Sequence, residues 1–463
     1  MCGIFFAYSK NKNFLSKIRS KQSLIIDTIK RRGPDLTTSV KDSNFLAIHT
    51  LLSITGFRPQ PIINNEFLLM FNGEIYNDYK KYNDNYSDTD FIVNKIKEKG
   101  AKAFKILDGE FAIVTHLLKS NTLILAADPF GTKPLYYQLG NDFCIVGSYE
   151  STIAACSKRE AIKQIRANSV VEIDLKHFSV KDEEIVKSFD FSKQNNNSFE
   201  KWNEAFTESL VKRTQNKNHI CFVSFSSGHD SGLIAAELIN LKIPFKAYLM
   251  TYLEDPIILS ERIELLKRNK ISYEIINPSK KTWNSMKKFV ENNIDPYKLI
   301  SSDDSYQNFD NPNIHKIPGT ISSSLIHQKA REDKYLIHLS GQGGDEIYSD
   351  YYNKYTHSRM SELKGNWRGV KAPWKNFYGS WNRVFLGATE RVGGLFGIET
   401  RYPYLDYSVV QEFLNLSPKL KSHYYKAPIT NRLRELNFPF HFKKYGFAGY
   451  KDNALSTRPP IAK

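Results

Sequence analysis

Apolar positions in the first third of the chain fall into short runs, Ile4 to Tyr8, Phe45 to His49, Phe67 to Phe71, Phe111 to His116 and Thr122 to Ala126. Runs of this length bounded by polar and turn residues predict β-strands, and few helical patterns intervene. The rhythm then changes. A helical pattern covers Trp202 to Arg213, an apolar run Ile220 to Phe225 leads into a second helix from Leu233 to Leu241, and Tyr335 to Leu339 reads as another buried strand. A β-rich half followed by alternating strands and helices predicts two domains. The polar stretch Ser188 to Ser198, with Gln194-Asn195-Asn196-Asn197 inside it, is the predicted linker. The domains are therefore drawn at residues 1–190 and 191–463, with no internal repeat.

Composition adds limits. At 463 residues, 41% hydrophobic and 25% charged, the chain is of ordinary globular type. No apolar run approaches the ~20 residues of a membrane helix. Four cysteines (Cys2, Cys144, Cys156, Cys221) without a CxxC spacing suit neither a disulfide scaffold nor a zinc site, so a cytoplasmic setting is expected. The net charge of +16 leaves a polyanionic partner such as nucleic acid open. The lysines are scattered rather than blocked, however, and a solvated basic surface is the expected reading.

The residue with most chemical content is Cys2. If Met1 is trimmed, Cys2 carries an α-amine beside its thiol, nucleophile and base in one residue, and no signal peptide can then precede it. Downstream stand Arg31-Arg32-Gly33-Pro34-Asp35, Phe71-Asn72-Gly73-Glu74-Ile75-Tyr76-Asn77, Ser87-Asp88-Thr89-Asp90, Asp108-Gly109-Glu110-Phe111-Ala112 and Asp128 to Tyr136. Asn72 and Gly73 suit an oxyanion hole, as a side-chain amide and a backbone N–H that glycine leaves approachable. Asn72-Gly73 also reads as a hairpin turn. In this order the strings resemble class II, N-terminal-nucleophile glutamine amidotransferases of the kind fused to asparagine synthetase. The resemblance implies an αββα sandwich with Cys2 at its centre and places Glu74 and Asp88 on the bound glutamine. The family arginine for the glutamine carboxylate falls at Leu51, which cannot pair with it. Arg58 is the expected replacement, and a weakened glutaminase is the alternative.

The second half carries two loops after predicted strands. Ser226-Ser227-Gly228-His229-Asp230-Ser231-Gly232 precedes a helix, the arrangement that gathers backbone N–H groups and a helix dipole around phosphate. It resembles the SGGxDS loop of ATP pyrophosphatases, with Ser227 in place of a glycine. That exchange is tolerable only without positive φ. Ser340-Gly341-Gln342-Gly343-Gly344-Asp345-Glu346 resembles the asparagine synthetase SGEGxDE motif. Together they imply an α/β parallel-sheet domain of adenine-nucleotide hydrolase type. ATP would lie on Ser226, Ser227, Gly228, Asp230, Ser231, Gly341, Gly343 and Gly344, and Asp230 and Asp345 would hold Mg²⁺. Lys426, in Tyr425-Lys426-Ala427-Pro428, resembles the family lysine that steadies phosphate charge, although a solvated lysine is the competing reading. Glu399-Thr400-Arg401-Tyr402-Pro403-Tyr404-Leu405-Asp406 resembles E-x-R-x-P-F-L-D and puts Arg401 at the domain or acceptor interface.

Taken as a member of the glutamine-dependent asparagine synthetase family, the chain is expected to be a carbon–nitrogen ligase. Cys2 would free ammonia from glutamine, and ammonia would cross an apolar channel to an acyl adenylate, giving an amide, AMP and pyrophosphate. The acceptor is aspartate or another carboxylate from a secondary-metabolite, sugar or nucleobase pathway. The second alternative rests on Leu51, Ser227 and Gln342. Glutamine at 342 cannot take a proton where the family commonly has an acid, and Glu346 is the nearby carboxylate that would serve with it in the acceptor site. A non-catalytic nucleotide-binding relative is disfavoured by the survival of Cys2, Asp230 and Asp345. A homodimer is compatible with this reading.

Overall fold

The computed structural model describes residues 1–77, 87–216, 218–251, 254–296, 319–352 and 360–441. Strands of the first half are β1 (Gly3–Ser9), β2 (Leu36–Lys41), β3 (Phe45–Leu51), β4 (Ile62–Ile63), β5 (Phe67–Ile75) and β6 (Gly109–Leu117). They continue as β7 (Thr122–Ala127), β8 (Tyr136–Leu139), β9 (Phe143–Gly147), β10 (Lys163–Gln164), β11 (Ser169–Asp174) and β12 (Ser179–Ile185). They form two six-stranded sheets, ordered β10-β8-β9-β1-β3-β2 and β12-β11-β7-β6-β5-β4.

Strand alternation explains why these sheets stack. Ile4, Phe6 and Tyr8 of β1 meet Leu68 and Met70 of β5 and Ala112 and Val114 of β6 in the central layer. Their neighbours Phe5 and Ala7 face outward onto Leu15, Ile18, Ile25 and Ile29 of the helices Lys12–Ser20 and Gln22–Ile29. On the other side, Leu69 and Phe71 pack on Ile92 and Ile96 of the helix Asp88–Lys99. Both faces of each central strand are covered, so these strands read as continuous apolar runs. The result is the αββα sandwich.

The second half holds a five-stranded parallel sheet of β13 (Cys221–Phe225), β14 (Phe245–Leu249), β15 (Ser272–Ile275), β16 (Ile337–Leu339) and β17 (Glu399–Arg401), ordered β15-β14-β13-β16-β17. Its faces divide likewise. Cys221, Val223 and Phe225 join Trp202, Phe206 and Leu233, while Phe222 and Tyr248 join Val290, Leu325 and Ile326. The strand order reverses between β13 and β16, and ligand crevices of open α/β sheets lie at the carboxyl ends of strands at such a point. The loops after those two strands carry Asp230 and Asp345.

Two expectations need correction. The stretch from Ser188 to Ser198 is no free linker. Asp190 donates its N–H to Gln411 Oε1 at 2.9 Å, Gln194 donates to the Val370 carbonyl at 2.7 Å, and Asn196 donates to the Asn415 carbonyl at 2.9 Å. Asn72 and Gly73 are no hairpin turn either, because they pair with Ala112 and Phe111 within the β5–β6 ladder.

The halves meet across a buried ionic seam. Lys133 lies 3.0 Å from Glu390, Arg213 lies 2.9 Å from Glu110, and Lys212 reaches Asp108 at 2.8 Å and Asp406 at 2.5 Å. Arg213 pairs with Asp406 as well, at 2.8 Å. Met1, Leu52, Ile54 and Phe130 of the first half belong to the same apolar cluster as the core of the second.

Candidate active sites

Cys2 enters β1 at the seam, with its thiol 3.9 Å from the Leu52 carbonyl. Arg32 of the Arg-Arg-Gly-Pro-Asp string donates Nε–H to the Cys2 carbonyl at 2.9 Å. The Cys2 nitrogen donates to Asn72 Oδ1 at 2.7 Å. A backbone N–H can only donate, so the Asn72 oxygen must face it and the NH₂ must face away. That Nδ2 is buried and has no hydrogen-bond partner among the described residues, as an oxyanion donor awaiting its anion requires. Glycine at 73 is enforced by the strand beside it, since with φ +138° a Cβ there would lie 1.8 Å from the Glu110 carbonyl oxygen.

A narrow cleft beside the thiol is lined by Leu51, Arg58, Gly73, Glu74, Asp88 and Glu399. Burial pushes the Cys2 thiol up, and the N-terminal ammonium opposes that shift. Burial raises Asp88 well above the usual carboxylate range and Glu74 adds to it, while burial lifts Glu74 to about 7 against the pull of Arg401. An acidic cleft of this kind is relieved by a ligand ammonium. Arg58, expected to face the glutamine carboxylate, stands at the exposed rim with its Nε 2.9 Å from Asp90.

The second site is a cavity of about 410 Å³ lined by Ser226, Gly228, Asp230, Ser231, Gly341, Gln342, Asp345 and Glu346, with residues of the helices Thr320–Glu332 and Ser380–Phe396 closing it. Lys426 is buried and joins the loops. Its Nζ donates to both Asp230 oxygens at 2.7 and 2.6 Å and lies 3.1 Å from Asp345 Oδ1. Tyr425 donates its hydroxyl to Asp345 Oδ1 at 2.7 Å. A solvated Lys426 is excluded. The pair expected to hold Mg²⁺ is therefore already bridged and neutralised by an ammonium. No group of three or more His, Cys, Asp or Glu side chains suited to a metal occurs among the described residues. Two carboxylates are fewer ligands than a hard divalent cation takes, so any cation held by Asp230 and Asp345 would have to bring phosphate oxygens and water with it.

Other assignments change. Ser227 turns from the cavity. Its N–H donates to Glu254 Oε2 at 2.6 Å, its hydroxyl meets the same oxygen, and it does not have positive φ. Gly343 and Gly344 do not line the cavity. The Gly343 N–H donates to Glu346 Oε2 at 3.0 Å, and a Cβ at Gly344 would meet Asp230 Oδ1 at 2.3 Å, so glycine permits that loop contact. Arg401, expected at the domain or acceptor interface, does not line this cavity and lies where the two halves meet. It is buried in β17, 3.1 Å from Glu74 and 2.8 Å from Glu399, because its strand edge faces the glutaminase half. Gln342 does line the cavity, and its Nε2 is buried with no partner among the described residues. Burial, then Asp345, raises Glu346 to about 7, and Tyr351 donates its hydroxyl to it.

Sequence reasoning missed Ser224 and His338, whose Oγ and Nε2 lie 3.0 Å apart on the cavity wall. Each sits in a run that reads as apolar strand, with no motif to mark it. It also missed Glu399 as a wall of the Cys2 cleft, for which the Glu-x-Arg string was the available signal.

The fold defines a class: a four-layer αββα sandwich that opens on a cysteine, joined to an open parallel α/β sheet. Residues 1–200 match the glutamine amidotransferase domain family. A putative glutamine-hydrolysing asparagine synthetase from Methanocaldococcus jannaschii is 27% identical over 82% of this chain and 70% of its own length. A probable glutamine-hydrolysing asparagine synthetase from Acanthamoeba polyphaga mimivirus is 25% identical over 93% of this chain and 81% of its own. Among solved structures, a glutamine phosphoribosylpyrophosphate amidotransferase from B. subtilis aligns over 61% of this chain and 70% of that one, at 15% identity and a TM-score of 0.31. Residues 1–200 thus match a glutamine amidotransferase domain, and most of the chain aligns with proteins named as glutamine-hydrolysing asparagine synthetases. No described helix is long and apolar enough to cross a membrane.

Proposed function

We propose that this protein is a two-site amide synthetase that takes ammonia from glutamine and places it on an ATP-activated carboxylate. The observation that carries the reading is the meeting of Asp230 and Asp345, 115 positions apart in the sequence, on the one ammonium of buried Lys426. In the first half, Cys2 Sγ attacks the glutamine side-chain carbonyl. Asn72 Nδ2 and the Gly73 N–H stand for the oxyanion, and the Cys2 nitrogen, free as an amine once Met1 is removed, takes the thiol proton and delivers it to departing ammonia. Water then releases glutamate.

In the second half, an oxygen of the acceptor carboxylate attacks the α-phosphorus of ATP and pyrophosphate leaves. Ammonia attacks the acyl carbon of that adenylate, AMP leaves, and one proton is given up. Asp230 and Asp345 would hold Mg²⁺, which supplies charge neutralisation on the phosphates when bound. Lys426 offsets the same charge from the protein side. Ser226, Gly228, Ser231 and Gly341 present the phosphate face.

Aspartate is the acceptor suggested by the relatives' names. A second reading, a carboxylate without a free ammonium beside it, is favoured by Gln342. Its uncharged amide stands in the acceptor cavity where the family commonly has a carboxylate, and removing a charge that faces an ammonium penalises the ammonium-bearing substrate. The test is product mass spectrometry with glutamine, ATP and a panel of carboxylates. Amide, AMP and pyrophosphate in equal amounts are expected. A carboxylate lacking the α-ammonium should turn over faster than aspartate, and efficient asparagine formation would return the acceptor to aspartate.

A further inference from the structure

The cleft around Cys2 is not built by the first half alone. Glu399, from the second half, lines it, and residues two apart on a strand share a face, so Arg401 stands beside Glu399. Its guanidinium lies 3.1 Å from Glu74 Oε2 and 2.8 Å from Glu399 Oε1, and donates from Nη1 to the Arg213 carbonyl at 2.7 Å. The other Glu74 oxygen accepts the Thr55 hydroxyl at 2.6 Å. Glu74, Glu399 and Arg401 are all at most 3% exposed. One Glu74 oxygen is thus held by a hydrogen bond, and the other faces, as an ion pair without hydrogen-bond geometry, a residue 327 positions away in the sequence.

We propose that Arg401, supplied by the nucleotide-binding half, is the positioning residue of the glutamine cleft, holding Glu74 ionised and oriented toward the α-ammonium of bound glutamine. This rests on Cys2 being a glutaminase nucleophile. The groups facing Glu74 are Arg401 and Glu399 from β17, Asp88 from the start of the helix Asp88–Lys99, and the N-terminal ammonium, with Tyr76 just past the end of its own strand. Apart from the terminus, Arg401 is the one cation in that set, among carboxylates that oppose one another's ionisation. Arg401 also accepts the Ser340 N–H on its backbone oxygen at 2.9 Å. Its side chain therefore serves one site while its main chain anchors the Ser340-Gly341-Gln342 loop of the other.

The sign of the effect separates positioning from scaffolding. Burial already lifts Glu74 to about 7 despite Arg401. Arg401→Gln removes the opposing charge, so Glu74 protonates at higher pH. The acidic limb of kcat/KM for glutamine then moves to higher pH, and KM at pH 7 rises by about tenfold for each pH step of one that the limb travels, with less change in kcat. Arg401→Lys, which keeps the cation, restores the limb toward wild type. Glu74→Gln removes a like charge from beside Asp88, and the limb that remains moves to lower pH. These opposite displacements are the expected result, measured by glutamate release across pH 5 to 9, with circular dichroism reporting folding. An unmoved limb in Arg401→Gln overturns the proposal. If that variant does not fold, an unmoved limb in Glu74→Gln overturns it instead. Wild-type protein that releases no glutamate from glutamine overturns the reading of Cys2 itself, a different failure from hydrolysis that is present but insensitive to Arg401.

Discussion

The Lys426 ammonium sits 2.7 and 2.6 Å from the two carboxylate oxygens of Asp230. Asp345 lies within 3.1 Å of it, so the lysine neutralises a pair that would otherwise repel. Lys426→Met should remove both this neutralisation and a phosphate partner, lowering acceptor-dependent ATP–pyrophosphate exchange by about 10²-fold or more. Glutamine hydrolysis should persist. Exchange within a few-fold of wild type would show that Lys426 only holds the loops.

Cys2→Ala should abolish glutamine-dependent amide formation and leave synthesis from ammonium salts, because the thiol serves ammonia release alone. The comparison is amide yield with glutamine against yield with ammonium chloride. Failure of ammonium to support the variant would contradict the division of labour between the two halves.

Leu51 closes the wall where a cation was expected, and Arg58 at the rim is engaged with Asp90. If Arg58 leaves Asp90 for the glutamine carboxylate, Arg58→Ala loses a charge-assisted contact of about 1.5 to 3 kcal/mol. The KM for glutamine should then rise roughly tenfold to hundredfold, with ammonia-driven synthesis as the control. An unchanged KM would remove Arg58 from the cleft.

Burial alone would push the Asp406 carboxyl up, but Lys212 and Arg213 outweigh it and hold the group at about 2. A carboxyl lowered in the folded state stabilises above its unfolded value, about 4, and loses that contribution as pH falls toward 2. The loss should be on the order of 2 to 3 kcal/mol, read by denaturant unfolding between pH 7 and 2. Asp406→Asn should cost about 3 to 5 kcal/mol at neutral pH, by leaving buried cations unpaired, and should flatten that acid dependence.

Much of this architecture is legible in the sequence because it is local. Runs covered on both faces announce strands such as Gly3–Ser9 and Phe67–Ile75, and the glycine-rich strings mark where chain must approach Asp230 or Glu110. What escapes is decided by distant partners. Ser227 reads as a phosphate ligand until Glu254 takes its N–H. Arg401 reads as a residue of either the domain or the acceptor interface, and only Glu74 beside it decides for the first. Asn72-Gly73 has turn chemistry, yet the β6 ladder holds it straight. His338 is invisible because a lone histidine in an apolar strand carries no periodic signal.

The ionic seam bears on how such a gene can change. Lys133 needs Glu390, and Glu110 needs Arg213, so a crossover with a parent whose other half lacks those partners strands charges that no solvent reaches. An unpaired buried charge costs several kcal/mol, comparable with the whole stability of a domain. Donor and acceptor chemistry are thereby inherited together: a new acceptor pocket has to arise by substitution within the second half, under the eye of the old seam, rather than by shuffling halves.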